Sequence, residues 1–400
     1  MITTLLFDLD DTLLGNNMET FLPGYFGQLA QYFGLGKAEG KRLEGAVYHG
    51  THAMVANMDP ARALLGVFYD AFYPAVGWEP AAYIRRFDDF YRTCFPTLQP
   101  LTQTRPAARA VMKWAFKAGY QVVIATSPLF PLRAIQERLR WAGVADFPYA
   151  LITSMETSHF TKPHPEYFAE VLARVGARPA EALVVGNDWE ADLTPAAKLG
   201  LPHFWVAAHD SVPTANGAHP VGIGPLESFL EWAPAHLPAL SAPALPAPAL
   251  PALLTGNLAE AAGLLADLPE AVWCRRPELG EWSLVEIVCH LRDVEQEVNL
   301  PRLRAVAEND NPFLSGVDTD PWAVERCYET QAGPLALKEF VETRRQTYTL
   351  LAGLPEPAWS RPARHALLGN TTLAELVSWM LDHDRIHLAQ LRTTRQKAIQ

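Results

Sequence analysis

Leu5-Leu6-Phe7-Asp8-Leu9-Asp10-Asp11-Thr12-Leu13 decides how the rest of the chain is read. The apolar run Leu5-Leu6-Phe7 predicts a buried strand, and Asp8 and Asp10, two residues apart at its end, point the same way from an extended backbone. One carboxylate so placed can attack an electrophile while the other moves a proton, and a divalent cation can offset their repulsion. A plain acidic turn after a strand would look similar, since Asp is a common turn residue. The rest of the chain separates the two readings.

Gln121-Val122-Val123-Ile124-Ala125 predicts a second buried strand, ending at Thr126-Ser127, whose hydroxyls can donate to a phosphate oxygen. A third, Leu183-Val184-Val185, runs into Gly186-Asn187-Asp188-Trp189-Glu190-Ala191-Asp192, which offers carboxylates to a hard cation. Between them Lys162, in Phe160-Thr161-Lys162-Pro163-His164-Pro165, can neutralise an anionic substrate or nucleophile.

These four pieces in this order resemble the haloacid dehalogenase superfamily of hydrolases over roughly residues 1–235. The resemblance implies an α/β Rossmann-like parallel sheet with ligands beyond the carboxyl ends of the strands. It implies Asp8 as the nucleophile that forms an aspartyl-phosphate, Asp10 as general acid and base, and Thr126 and Lys162 as holders of the phosphoryl group. Mg2+ is then expected on Asp8, the Asp10 backbone carbonyl and an acid of the Gly186–Asp192 loop. The family usually has an acid directly after that glycine, where this chain has Asn187. Asp188 or Asp192 is therefore expected to carry the metal contact, with Asn187 acting through water. Asp10 also indicates the reaction: displacing an alkoxide benefits from a proton donor, whereas displacing a halide needs none. A phosphatase acting on a small phosphorylated metabolite is expected rather than a dehalogenase.

From about residue 16 to 102 the chain is too long for an ordinary connection, and Phe21 to Phe33, Pro60 to Phe72 and Ala81 to Phe95 carry helical apolar spacing. An inserted helical cap is expected; in the resembled family an insertion here closes over the site and selects substrate. His49, His52, Tyr69, Arg85 and Arg86 are candidate substrate contacts, against the blander reading of surface or packing residues.

The chain has 33 prolines, unevenly spread, and their density from Pro234 to Pro251 predicts an extended, semi-rigid linker over about 236–252. Beyond it the pattern is helical. Ser283-Leu284-Val285-Glu286 and Thr372-Leu373-Ala374-Glu375 are capping boxes, opening helices to about Ala307 and Arg392. With Leu258 to Leu268 and Leu335 to Leu351 they predict an all-α four-helix bundle over 253–400. His383 and His387 are four apart, on one helix face, and His290 lies two turns into another helix. Three imidazoles can make an open transition-metal site.

Trp282 to Leu291 together with His383-Asp384-Arg385-Ile386-His387-Leu388-Ala389-Gln390-Leu391 resemble the DinB-like (YfiT-like) superfamily. That resemblance implies a bundle whose His290, His383 and His387 bind Zn2+ or Ni2+, with some relatives acting as metal-dependent transferases on a low-molecular-weight thiol. The alternatives are that this half carries the main activity as a thiol transferase, or that it is a non-catalytic binding or dimerisation module. Asp293 is expected at the surface.

Residues 1–237 carry 18 Lys and Arg against 23 acids, the remainder 15 against 21, so neither half is built to grip nucleic acid or anionic lipid. Cys94, Cys274, Cys289 and Cys327 form no CxxC pair, which argues against a disulfide framework or zinc ribbon. No run of about twenty apolar residues could span a bilayer, and no signal peptide precedes Asp8, so a cytoplasmic protein is expected. A homodimer is compatible with the sequence.

Overall fold

The computed structural model describes residues 1–208, 217–241 and 243–399. It divides into two compact units, Met1–Leu245 and Pro246–Gln400.

In the first unit β1 (Thr4–Phe7) is buried at every position, as a strand covered on both faces of a parallel sheet must be. It is followed by β2 (Leu14–Gly15), β3 (Gln103–Thr104), β4 (Gln121–Ile124), β5 (Leu151–Ile152), β6 (Ala182–Gly186), β7 (His203–Val206) and β8 (Gly222–Gly224). Six of these form one parallel sheet in the order β5-β4-β1-β6-β7-β8. The chain fills one side of β1 first and then crosses to the other. Phe7 is in register with Ile124 on β4 and with Val185 on β6. The three expected strands therefore end side by side at a switch point, where open parallel sheets leave a crevice.

The helical insertion consists of α1 (Met18–Phe33), α2 (Lys37–Val55), α3 (Leu64–Val76) and α4 (Pro80–Thr93). Its two ends are tied by the antiparallel β2–β3 pair, Leu14 to Thr104 and Gly15 to Gln103. The insertion thus leaves the sheet and returns to it at one point. Gly50 of α2 lets the Phe68 ring of α3 lie directly on the helix, a position where a β-carbon would collide with it. The helices α5 (Pro106–Lys117), α6 (Leu132–Trp141), α7 (Pro165–Val175), α8 (Thr194–Lys198) and α9 (Leu226–His236) complete this unit.

The second unit contains α10 (Leu250–Leu265), α11 (Glu270–Trp273), α12 (Leu284–Val294), α13 (Leu300–Glu308), α14 (Trp322–Glu325), α15 (Gly333–Ala352) and α16 (Leu373–Ile399). Residues Glu295–Asn299 continue α12 into α13 as a π-helical turn. Both expected capping boxes form: Ser283 donates to Glu286 from its backbone N–H at 2.9 Å and its hydroxyl at 2.7 Å, and the Thr372 N–H donates to Glu375 at 2.8 Å. A small sheet of β9 (Phe313–Leu314), β10 (Pro362–His365) and β11 (Gly369–Thr372), absent from the sequence reading, accompanies the helices.

The segment read as an extended linker is shorter than expected. Helix α9 runs to His236, and α10 already begins at Leu250 with Pro251 in its first turn, where a missing N–H costs nothing. Ala242 of that segment lies outside the described residues. None of the four cysteines is paired. Among the described residues no helix is long and apolar enough to cross a membrane.

Limited proteolysis of the full chain is expected to cut first between Leu240 and Pro246, whose described residues are largely exposed, and to release two folded pieces. Mass spectrometry of the early fragments checks this; first cuts inside α10 or the β2–β3 ribbon would contradict it.

Candidate functional site

Asp8 follows β1, Thr126 follows β4, and Gly186 to Asp192 follows β6, so the sheet register gathers all three at one mouth. Lys162, three residues ahead of α7, closes the group from the side. Its buried ammonium donates to Asp8 Oδ1 at 2.7 Å and Asp192 Oδ1 at 2.5 Å. Burial disfavours the charged ammonium, but Asp192 and Asp8 outweigh it and hold the lysine pKa well above its ordinary value. For Asp8, burial dominates: it raises the carboxyl to about 7 against the pull of Lys162, with Asp192 and Asp10 adding to the rise.

The loop after β6 is fixed by its own acids. The Asp188 side chain accepts from the N–H groups of Glu190 and Ala191 at 2.9 and 2.8 Å, capping the turn. Its backbone N–H donates to Asp192 Oδ2 at 3.1 Å. Asn187 uses its side-chain oxygen to accept from the Thr12 hydroxyl at 2.9 Å, tying this loop to the one after β1. Gly186 has a structural reason to be glycine, because a β-carbon there would overlap the Asp192 carboxylate.

Asp10 has partners that the sequence reading missed. It accepts from the Asn16 amide at 2.8 Å and is paired with Arg138, which is 1% exposed and lies over the Phe130 ring at 4.8 Å. A signal was present: Arg138 falls on the inward face of α6 with Ala134, Ile135 and Leu139. Among the earlier cap candidates, Tyr69 lines the cavity in front of Asp8, whereas His49, His52, Arg85 and Arg86 do not. Arg86 instead packs over Phe33 at 4.7 Å.

This donor set suits Mg2+. The site offers carboxylate oxygens and a backbone carbonyl, the ligands a hard cation takes. Asp8, Asp10 and Asp192 face two cations, Lys162 and Arg138, which leaves one negative charge uncompensated in a buried place.

In the second unit His290 of α12 meets His383 and His387 of α16. Their candidate ligand nitrogens all lie within 4.8 Å of one another, and Nε2 of His290 and His383 are 3.1 Å apart. Burial is the first cause of a lowered pKa in all three, to about 3 in His290 and about 4 in His383, with neighbouring imidazoles adding to both. The rings are therefore neutral, the form that ligates metal. His387 Nδ1 lies 3.0 Å from the Gln390 side-chain oxygen, which orients the ring and leaves Nε2 toward the other two. Trp282 stacks on His387 at 6.1 Å.

Behind this triad lies a buried ionic core that the sequence reading also missed. Arg344 of α15 donates to both oxygens of Asp384 and pairs with Glu295 at 3.0 Å. Asp293 corrects the surface expectation: it is buried and accepts from Arg292, Arg326 and the Tyr328 hydroxyl at 2.6, 2.6 and 2.7 Å.

Residues 2–200 match the haloacid dehalogenase-like hydrolase family, and residues 253–391 match the DinB superfamily. The chain joins a haloacid dehalogenase-like hydrolase domain to a DinB superfamily domain. The hydrolase domain is 25% identical over 218 residues to a glyceraldehyde 3-phosphate phosphatase of Methanopyrus kandleri, covering 50% of this chain and 82% of that one. It is 26% identical over 191 residues to the pyrophosphatase PpaX of Bacillus velezensis, covering 47% and 76%. A ribulose-1,5-bisphosphate 5-phosphatase of Halopiger xanaduensis is 33% identical over 97 residues, a match that spans 24% of this chain and only 39% of that protein. Among solved structures, a phosphatase of the same superfamily from Thermococcus onnurineus aligns at 18% identity and TM-score 0.37, over 57% and 97% of the two chains. YfiT from Bacillus subtilis aligns at 17% identity and TM-score 0.34, over 37% and 84%.

Substituting Gly186→Ala is expected to push Asp192 off Lys162, costing about 1–3 kcal/mol of stability through overpacking. Hydrolase activity should fall with it. Melting temperature and kcat/KM measured together check this; a fully active, equally stable variant would mean that Asp192 is not held by that contact.

Proposed function

We propose that the hydrolase domain is a Mg2+-dependent phosphatase of small phosphate monoesters. The observation that carries this is the buried Lys162 ammonium bridging Asp8 and Asp192 at the mouth where Thr126 and Asp10 also sit. In the proposed reaction an Asp8 oxygen attacks phosphorus, the ester bond to the leaving oxygen breaks, and Asp10 delivers a proton to that oxygen. Asp10 then takes a proton from water as the water attacks the phosphorus of the aspartyl-phosphate, releasing phosphate and regenerating the Asp8 carboxylate. Asp10 must exchange one of its present partners, Arg138 or Asn16, for the leaving oxygen. Thr126 and Lys162 bind the phosphoryl oxygens and orient the ester for in-line attack. Mg2+ would be held by Asp8, the Asp10 backbone carbonyl and Asp192 or Asp188, supplying positive charge against those oxygens.

For the DinB domain we propose a divalent transition-metal site, Zn2+ or Ni2+, on His290, His383 and His387. Three neutral, converging imidazoles support it, since such nitrogen donors favour these ions over Mg2+. Three ligands would leave coordination positions for water or a substrate.

Asp8→Asn is expected to reduce Mg2+-dependent hydrolysis to background with the fold intact, since an amide is no nucleophile. Asp10→Asn should lower kcat about 10²–10⁴-fold for alkyl phosphates and less for aryl phosphates with acidic leaving groups. Equal losses across leaving groups would remove Asp10 from the proton-donor role.

Elemental analysis of the full chain is expected to find one transition metal per chain that His387→Ala abolishes. At a free metal concentration a hundredfold above Kd the metal stabilises by about 2.7 kcal/mol, so chelation should lower the melting temperature of this domain by roughly 5–10 °C. Absence of metal after incubation with Zn2+ or Ni2+ would reduce the triad to packing residues.

A further inference from the structure

The cavity that opens onto Asp8 has a volume of about 550 Å³, far more than a triose phosphate would fill. Its floor is polar and its roof is not. The cap contributes Tyr25, Phe68, Phe72, Phe87 and Tyr91, and the core adds Phe130. Phe68 and Phe72 stack at 5.0 Å, and Tyr25 meets Phe130 edge-on at 5.6 Å. The hydroxyls of Tyr25 and Tyr91 bond each other at 2.8 Å, and both rings line the cavity.

Charge is accounted for just as closely. Three cationic side chains line the cavity, and each has a carboxylate partner: Lys162 has Asp8 and Asp192, Arg138 has Asp10, and Arg133 has Asp88 at 2.9 Å in an exposed pair, while Nε and Nη2 of Arg138 have no hydrogen-bond partner among the described residues. The lining acid Glu156 accepts from the Leu132 N–H at 3.0 and 3.1 Å. A substrate with a second phosphate or a carboxylate would have to compete with those carboxylates for a cation, or set its anion against aromatic rings, a costly burial. One neutral polar group of the roof is both buried and unsatisfied. The Tyr73 hydroxyl lines the cavity, is buried, and has no hydrogen-bond partner among the described residues.

We propose that this site takes the phosphate monoester of a largely apolar, ring-bearing alcohol or phenol, with room for one neutral polar group opposite Tyr73. The proposal rests on the phosphatase reading and sets the substrate apart from the pyrophosphate, bisphosphate and triose phosphate for which the relatives are named. Aromatic walls recognise such a group through buried area and ring contacts, which needs no charge in the cap.

The test is a specificity series on the full chain with Mg2+, using ethyl to hexyl phosphates, 2-phenylethyl phosphate, glycerol 3-phosphate and 3-phosphoglycerate. All are alkyl esters, which limits differences in leaving-group acidity and lets the series report mainly on the cavity. kcat/KM is expected to rise about fourfold per added methylene until the space is filled. 2-Phenylethyl phosphate should exceed 3-phosphoglycerate by at least a hundredfold. A flat series, or preference for the carboxylated ester, overturns the proposal while leaving the phosphatase reading intact. If no ester is hydrolysed, the phosphatase reading fails, and calorimetry of 2-phenylethylphosphonate against phosphonoacetate still decides the cavity's preference. Tighter binding of the phenylethyl compound supports the proposal, and equal or weaker binding rejects it.

Discussion

A single buried ammonium, that of Lys162, holds the hydrolase domain's site together. Taking a lysine charge out of water costs several kcal/mol, and that cost is offset only if opposite charges meet it in good geometry. Asp8 and Asp192 do so, and they come from the ends of two neighbouring strands, β1 and β6. The chain from β1 to β6 must therefore fold so that α7 brings Lys162 to the same mouth. Gly186, Thr12 and Asn187 support that meeting by clearing space and tying the loops. Burial raises the Asp8 carboxyl to about 7 against the pull of Lys162, with Asp192 and Asp10 adding to the rise.

The cap follows a different physical rule. It enters and leaves the sheet through the two-residue pairing of β2 with β3, and its helices pack on one another through many aromatic contacts. An aromatic roof over a charged floor divides recognition into two jobs. In the proposed reaction the floor would fix the phosphoryl group by charge, and the roof would distinguish the remainder of the ester by area.

The sheet was legible because buried parallel strands are short apolar runs, and the structure brings Asp8, Thr126 and the Gly186–Asp192 loop together at their ends. The bundle was legible through its capping boxes and histidine spacing. What escaped was the set of buried arginines. Arg138 and Arg344 stand on inward helix faces, where an arginine is normally read as exposed, and their partners Asp10, Glu295 and Asp384 are distant in sequence. Asp293 was misplaced for the same reason, because Arg326 and Tyr328 come from a separate segment. Helix α2 lacked a strong apolar stripe: it packs on α3 through small residues such as Ala46 and Gly50. The proline cluster was over-read, since Pro251 sits in the first turn of α10 where proline is tolerated.

In the proposed reaction Asp8 becomes covalently phosphorylated during turnover. Acid-quenching the full chain with Mg2+ and a phosphate monoester in the first turnovers, followed by mass spectrometry of the peptides, tests it most directly. The expected result is one phosphoryl group, labile to hydroxylamine, on the peptide containing Asp8. Burst release of the alcohol with phosphate on another residue, or steady hydrolysis with the Asp8 peptide never modified and the Asp8→Asn protein still active, would contradict it.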